Sequence, residues 1–391
     1  MTKNAKDNTR YVRGGGSVRQ RPDGRWEARC TINGKRRSFY GMKQADVLKA
    51  MRDAQAEAES KSCVEPSKMT FGEWLDIWYN EYNRPNLKQT TRETRELAIK
   101  KHIKPVIGAI KLQDLDTNTL QHFYNNLATR LAAYSIRTII RSVISASLNQ
   151  AVRCGYISTN PAAMCVLPKR VKKDIKPFTA SEVSVFLKEL EKEKDPTLRQ
   201  LLTVLLFTGM RFGEALGLPW KAIDIERGKI TIEQQLQYAT HQGLYITTPK
   251  NGKPRTIYPP AIVLDTIKEV RDRQEDSRKL AGELYENSLG LVFTNPLGHP
   301  LNRSRIRVRF RQIVKQMGRP DMRIHDLRHT YAVMALKAGD DPKTVQNALG
   351  HHTAAFTLDV YAHVMEDATQ GSADRMQAYY ESITKTEVTA Q

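Results

Sequence analysis

Five of the nine histidines in this 391-residue chain fall between Ile324 and Val364. That stretch reads IHDLRHTYAVMALKAGDDPKTVQNALGHHTAAFTLDVYAHV. Leu327, Tyr331, Met334, Leu336, Val345 and Leu349 recur at helical spacing, and Gly339 and Gly350 interrupt them. Apolar residues in that rhythm commit a segment to packed helices, and the glycines punctuate it. His325, Arg328, His329, His351, His352, Tyr361 and His363 are then polar groups on a rigid helical scaffold, aimed at one place. Function is expected there.

The partner is suggested by charge. Sixty-two Lys and Arg stand against 42 Asp and Glu, for a formal net charge of +20. A surplus of this size in a folded chain points to a polyanion, above all nucleic acid. The length suits two or three domains. The four cysteines, Cys30, Cys63, Cys154 and Cys165, contain no CxxC pair. No disulfide framework or cysteine-held zinc is expected, and a reducing cytoplasm fits. The longest apolar run, around Leu201–Phe207, is far short of the roughly 18 residues of a membrane span. The polar N-terminus lacks a signal peptide's apolar region.

Along the chain, residues 1–16 read as a flexible basic tail ending in Gly14-Gly15-Gly16. From Ser17 to Tyr40, Asp23-Gly24 and Asn33-Gly34 separate alternating segments, because such turns need positive φ. Three short antiparallel strands are expected, backed by a helix over 44–60. Arg19, Arg21, Arg25, Arg29, Lys35, Arg36 and Arg37 stud them, and a small sheet can enter a DNA major groove. Residues 65–173 read as all-helical, with helices near 71–82, 90–102, 117–131 and 135–153. Phe71, Trp74, Trp78 and Tyr82 form a stripe expected in the core. Asn160-Pro161 and the basic run from Pro168 to Lys173 read as a linker. The last unit opens with a helix over 179–192, capped by Ser181 or Thr179 with Glu182 just inside. An apolar helix over 199–207 leads into TGMRFGEALGL. Short strands near 229–234, 244–247 and 255–258 surround the turn Thr248–Pro254, making a small antiparallel sheet. Helices are expected from there to about Glu366. The fold class is therefore multidomain: a small three-stranded β-sheet plus helix, an all-α domain, and a mainly α domain holding a small antiparallel sheet.

Cleaving a DNA phosphodiester requires positive charge on the non-bridging oxygens, a nucleophile, and a proton for the leaving oxygen. Arginine's planar fork suits the first task. Arg211 and Arg328 come from separate segments and can hold both oxygens. His325 and His351 can donate hydrogen bonds or move protons near neutral pH. A tyrosine can attack and hold the DNA covalently, and nearby cations favour its phenolate. The arginines supply the charge, so no metal and no cofactor are expected. His325 and His329, four apart, could hold zinc, but Asp326 follows His325 where HExxH has Glu, and Arg328 would put a cation beside the metal.

Arg211 in TGMRFGE, His325 and Arg328 in HDLRHT, His351 in LGHH and Tyr361 in TLDVYAH resemble, in order, spacing and wording, the signature of tyrosine recombinases, the phage integrase family. The resemblance covers about 65–365. It implies that Tyr361 is the nucleophile, that Lys250 in TPKNGKPRTI is the general acid for the 5′-oxygen, and that Glu214 supports Arg211. Lys253 and Arg255 compete with Lys250; Tyr331, Tyr379 and Tyr380 compete with Tyr361. The N-terminal sheet resembles the arm-binding domain of integrases from conjugative transposons and temperate phages.

The implied domains are 1–63 (arm-type DNA binding), 64–173 (core-binding, SAM-like) and 174–391 (catalytic, with a C-terminal tail). The implied protein is a bacterial, cytoplasmic, nucleoid-associated homotetramer. It would act on double-stranded DNA at core and arm attachment sites through 3′-phosphotyrosine, with an excisionase or DNA-bending protein as possible helpers. Two alternatives stay open on the residues: a type IB topoisomerase-like enzyme and a non-catalytic DNA-binding regulator. The stripe Met376, Tyr379, Tyr380, Ile383 suggests a tail that docks on a neighbouring subunit.

Overall fold

Four strands, not three, precede the first helix: β1 (Arg10–Val12), β2 (Gly16–Gln20), β3 (Trp26–Ile32) and β4 (Lys35–Gly41), antiparallel and in sequence order. The extra edge strand lies in the stretch read as a flexible tail. Its residues carry no apolar alternation, and the pairing of Tyr11 with Ser17 is made by backbone. Asp23-Gly24 turns as expected, with Gly24 at φ +83°. The helix α1 (Gln44–Ser62) contributes Val47 and Met51 to a core with Val18, Ala28 and Cys30.

The structure, a computed structural model, describes residues 10–12, 16–32, 35–62, 67–169, 176–240, 242–350, 376–377 and 380–381. The chain divides into two units, Met1–Lys172 and Lys173–Gln391. The first also holds α2 (Phe71–Ile77), α3 (Gln89–Leu97), α4 (Lys104–Ile107), α5 (Thr117–Ala128), α6 (Ala133–Ile139) and α7 (Ala146–Arg153), around a second, separate apolar core. Thr70 caps α2: its hydroxyl accepts from the Glu73 N–H, while the Glu73 carboxylate accepts from the Thr70 N–H. Phe71, Trp74 and Trp78 are buried as the stripe demands, but Tyr82 is exposed. A π-helical turn over Trp78–Asn83 explains the difference. The wider turn shifts the helix phase, and Tyr79 goes inward instead, its hydroxyl donating to Glu96 at 2.9 Å.

The second unit begins with α8 (Ala180–Glu191), for which Thr179 rather than Ser181 is the cap. Next come α9 (Pro196–Thr208) and the short α10 (Phe212–Leu216). The expected single sheet is two. Strands β5 (Ile223–Asp224), β6 (Lys229–Ile232) and β9 (Arg255–Ile257) form one; β7 (Gln235–Ala239) and β8 (Gly243–Thr247) form a separate hairpin. The QLQYA segment, although Gln235-Leu236-Gln237-Tyr238 alternates polar and apolar residues, is absent from the expected strands. Helices α11 (Ala261–Ala281), α12 (Arg303–Gln316), α13 (Ile324–Lys337) and α14 (Pro342–Leu349) complete the described part. The main core gathers α8, α9, α12 and the start of α13, including Phe186, Leu201, Phe310 and Leu327. No helix among the described residues is long and apolar enough to cross a membrane.

Candidate active site

Two helix ends build this site. Helix α9 stops at Gly209 (φ +61°) and α14 stops at Gly350 (φ +64°), both in the left-handed conformation that glycine adopts without penalty. Gly209 has a second constraint: a Cβ there would stand 2.4 Å from Tyr331 Cδ1. Helix C-termini leave carbonyls without intrahelical donors and carry partial negative charge. Arginines supply what these ends lack.

Arg328, on α13 and 2% exposed, donates from Nη1 to the Gly209 carbonyl (2.7 Å) and from Nη2 to the Leu349 carbonyl (2.5 Å). Arg211 sits at the start of α10. Its Nη2 donates to the next carbonyl along, Gly350, at 3.0 Å. The two guanidiniums thus hang from consecutive peptide carbonyls, although 117 positions separate them along the chain. Glu214 fixes Arg211 from the other side: its carboxylate accepts from the Arg211 backbone N–H (2.9 Å) and from Nη1 (2.8 Å). Glu214 is fully buried. Burial alone would push its carboxyl up, but the bonds and charge of Arg255, then the charge of Arg211, bring it down to about 2.

Lys250 is exposed in the turn between β8 and β9, where Gly252 (φ +69°) donates to the Pro249 carbonyl at 2.9 Å. Its neighbour Asn251 donates to the same Gly350 carbonyl that Arg211 uses, at 2.6 Å. The lysine turn is therefore tied to the arginine cluster. Of its two competitors, Lys253 is exposed and Arg255 is nearly buried, paired with Glu214.

His325 lies in the first turn of α13, and its ring meets that of His329 edge-on, centroids 5.2 Å apart. His325 keeps an exposed edge within a crowded surround, whereas His329 is buried. Desolvation, helped by His329 and Arg328, lowers His325 to about 4. Desolvation likewise lowers His329 to about 4. Both imidazoles are neutral at pH 7. Between them in sequence, Asp326 is buried and accepts from the Arg323 N–H and guanidinium, which fixes the entry of α13.

A pH dependence follows. His329 is lower in the folded chain than its ordinary 6.5, so the unfolded chain binds more protons between those values. Its contribution is intact above pH 6.5 and is lost as pH falls toward 4, by roughly 2–3 kcal/mol. Thermal melts from pH 7 to 4 should show a steeper fall for the native chain than for His329→Gln. Parallel curves would refute the assignment.

His351, His352, Tyr361, His363, Tyr379 and Ile383 lie outside the described residues; Met376 and Tyr380 are exposed. In the N-terminal sheet the register sorts the arginines. Cross-strand partners share a face, so Arg19–Glu27–Tyr40, Arg29–Ser38 and Thr31–Arg36 line the side opposite Val18 and Ala28. Arg37 pairs with Cys30 on the other side, Lys35 is the register partner of Ile32, and Arg21 and Arg25 flank the turn. Arg19 and Arg29 are not simply free cations: both donate to Glu27, at 2.9 and 2.8 Å. Sequence reasoning weighed Arg255 only as a rival of Lys250 and missed its pairing with Glu214, along with Asn251 and the Arg323–Asp326 pair. Only the last, three residues apart ahead of a helical pattern, carried a local signal.

Comparison with known proteins identifies the class. Residues 176–367 match the model of the phage integrase family, and residues 70–128 match the phage integrase N-terminal SAM-like domain; together these take in more than half of the chain. The chain belongs to the phage integrase family. It is an enzyme of the tyrosine recombinase kind, which cuts and rejoins DNA. A tyrosine recombinase XerC-like protein of Caldanaerobacter subterraneus subsp. tengcongensis is 27% identical, over 85% of this chain and 90% of that protein. The transposase from transposon Tn916 of Enterococcus faecalis is 24% identical, over 75% and 74%. Among solved structures, the Tn1549 transposon integrase with a circular intermediate DNA superposes with a TM-score of 0.68 at 22% identity, over 79% of this integrase and all of that chain. A lambda integrase dimer bound to a core site gives 0.57 at 20% identity, over 88% and 94%. The expected fold class is thereby supported, with the added strand and the divided sheet as its corrections.

Proposed function

We propose that this integrase inserts and excises a mobile element by site-specific recombination through a 3′-phosphotyrosine intermediate. The observation that carries the reading is the pair of guanidiniums, Arg211 and Arg328, held on consecutive carbonyls beside the tethered Lys250 turn. In this reading they grip the two non-bridging oxygens of the scissile phosphate. The Tyr361 oxygen attacks phosphorus, and its proton passes to a neutral imidazole, for which His325 is available. The bond from phosphorus to the 5′-oxygen breaks, and Lys250 protonates that oxygen. His351 donates to the phosphate. Glu214 holds Arg211 in place. Religation is the reverse, with a 5′-hydroxyl of the partner strand attacking the phosphotyrosine, so the bond energy is conserved.

Residues 1–63 would read arm sites, with Arg19, Arg29 and Arg36 on one face of the sheet. Residues 64–173 would hold the core site, and 174–391 would carry the chemistry. Solved relatives include a Tn1549 integrase with circular intermediate DNA and a lambda integrase tetramer on a Holliday junction; a homotetramer on paired DNA sites in a bacterial cytoplasm is the corresponding assembly here. An excisionase or DNA-bending protein fits the same scheme.

The test is covalent trapping. The full chain is incubated in EDTA with a nicked suicide duplex carrying a site selected for binding from a random-sequence library. A denaturing gel should show a protein–DNA adduct on the 3′-phosphate. Tight binding without any adduct would refute the enzyme and favour a regulator. An adduct that relaxes supercoils but never exchanges strands would favour a topoisomerase.

A further inference from the structure

Arg255 has no role in the scheme above, yet it makes the densest set of charged contacts in the site. It stands on β9, 10% exposed, and each of its three nitrogens donates inside the protein. Nη1 and Nη2 meet the two oxygens of Glu214 at 3.0 and 2.6 Å, and Nε meets the Ala348 carbonyl at 2.8 Å. The Glu214 oxygens are the same two that hold Arg211. Gly350, whose carbonyl Arg211 grips, packs so closely that a Cβ there would stand 3.0 Å from Arg255 Cδ.

Consider the charges. A buried carboxylate touching Arg211 alone would cancel that arginine, because opposite charges at contact in a shielded site offset each other strongly. A phosphate arriving at such a neutral pair would gain little. With Arg255 paired to the same carboxylate, the three groups sum to one net positive charge. Glu214 can then orient Arg211 without neutralising it. Against its burial, the Glu214 carboxyl is held down more by Arg255 than by Arg211.

We infer that Arg255 is a positioning residue whose charge offsets Glu214, so that Arg211 keeps its positive charge for the scissile phosphate. This rests on the reading of Arg211 as a phosphate clamp. Arg255 itself is turned inward and is not assigned contact with DNA.

The experiment measures single-turnover adduct formation by the full chain on the suicide duplex above. Melting and DNA affinity are recorded for each variant. Arg255→Met should slow cleavage by roughly 10²-fold or more, comparable to losing an electrostatic donor. Arg255→Lys keeps the charge and should remain within about tenfold of the native rate. The deciding variant is the double Arg255→Met, Glu214→Gln. Removing the carboxylate removes the need for its counter-ion, so the double should cleave at least about tenfold faster than Arg255→Met alone. A purely architectural role predicts the opposite, since the double loses more bonds. A double no faster than Arg255→Met, or an Arg255→Met as fast as the native chain, overturns the inference. Should Arg255→Met not fold, a folded Arg255→Lys that is slowed by more than about a hundredfold overturns it as well. Arg211→Ala is the control for the underlying reading. If it cleaves normally, the clamp itself is wrong; if it is inactive while Arg255→Met is normal, only this inference fails.

Discussion

Tyr361→Phe should form no covalent adduct with the suicide duplex while binding it with unchanged affinity. The substitution removes one oxygen, and that oxygen is the atom proposed to join phosphorus. No charge is lost and the ring is kept, so the DNA-facing cations are untouched. Loss of the nucleophile in covalent catalysis costs on the order of 10⁴-fold or more in rate, which takes adduct formation below detection. The alternatives are unequal. Tyr331 is half-buried against Gly209, and desolvation, then Asp340, push its hydroxyl up. A hydroxyl pushed up is a poorer nucleophile at neutral pH. Tyr380 is exposed beyond the motif. If Tyr361→Phe still traps DNA, peptide mapping of the adduct identifies the tyrosine that replaces it, and the assignment is lost.

The words TGMRFGE and HDLRHT were legible because each is short and lies at a helix boundary, where turn residues and caps are local. Arg211 and Glu214, three apart, could be paired on sequence alone, and they are paired. The second partner of Glu214 could not. Arg255 is 41 residues away on a strand, and nothing in KPRTI separates an inward arginine from an outward one. The same limit hid the carbonyls of Gly209, Leu349 and Gly350. Backbone acceptors have no residue identity, so their convergence appears only with the tertiary path. Fold errors follow similar lines. The strand Arg10–Val12 pairs through backbone and lacks a patterned sequence. Tyr82 leaves the core because a π turn breaks the 3.6-residue phase that the stripe assumed. The sheet between β5 and β9 was read as one because strand pairing across a turn was assumed between neighbours. Instead β8 turns back to β7, and β9 reaches past both to β6.

Arg328→Ala should damage both stability and cleavage, and the two losses have separate causes. The guanidinium is buried and bridges the ends of α9 and α14 through Gly209 and Leu349. Alanine leaves two carbonyls without those donors and a void where the side chain was. Buried acceptors left unsatisfied cost about 1–3 kcal/mol each, so a loss of about 2–5 kcal/mol is expected. In a unit of this size that lowers the Tm by roughly 5–15 °C, as calorimetry would read. Arg211→Ala should cost less stability, because Arg211 is more exposed and Glu214 retains Arg255. For cleavage, removing one of two cations from the phosphate should cost on the order of 10³-fold in adduct rate. Arg328→Lys separates the effects. Its single ammonium keeps the charge yet cannot span two carbonyls, so it should recover part of the rate while the Tm stays low. A Tm within about 2 °C of the native chain for Arg328→Ala would show that the helix ends do not depend on the bridge. A native adduct rate in a folded Arg328→Ala would remove Arg328 from the phosphate clamp and leave Arg211 to carry it alone.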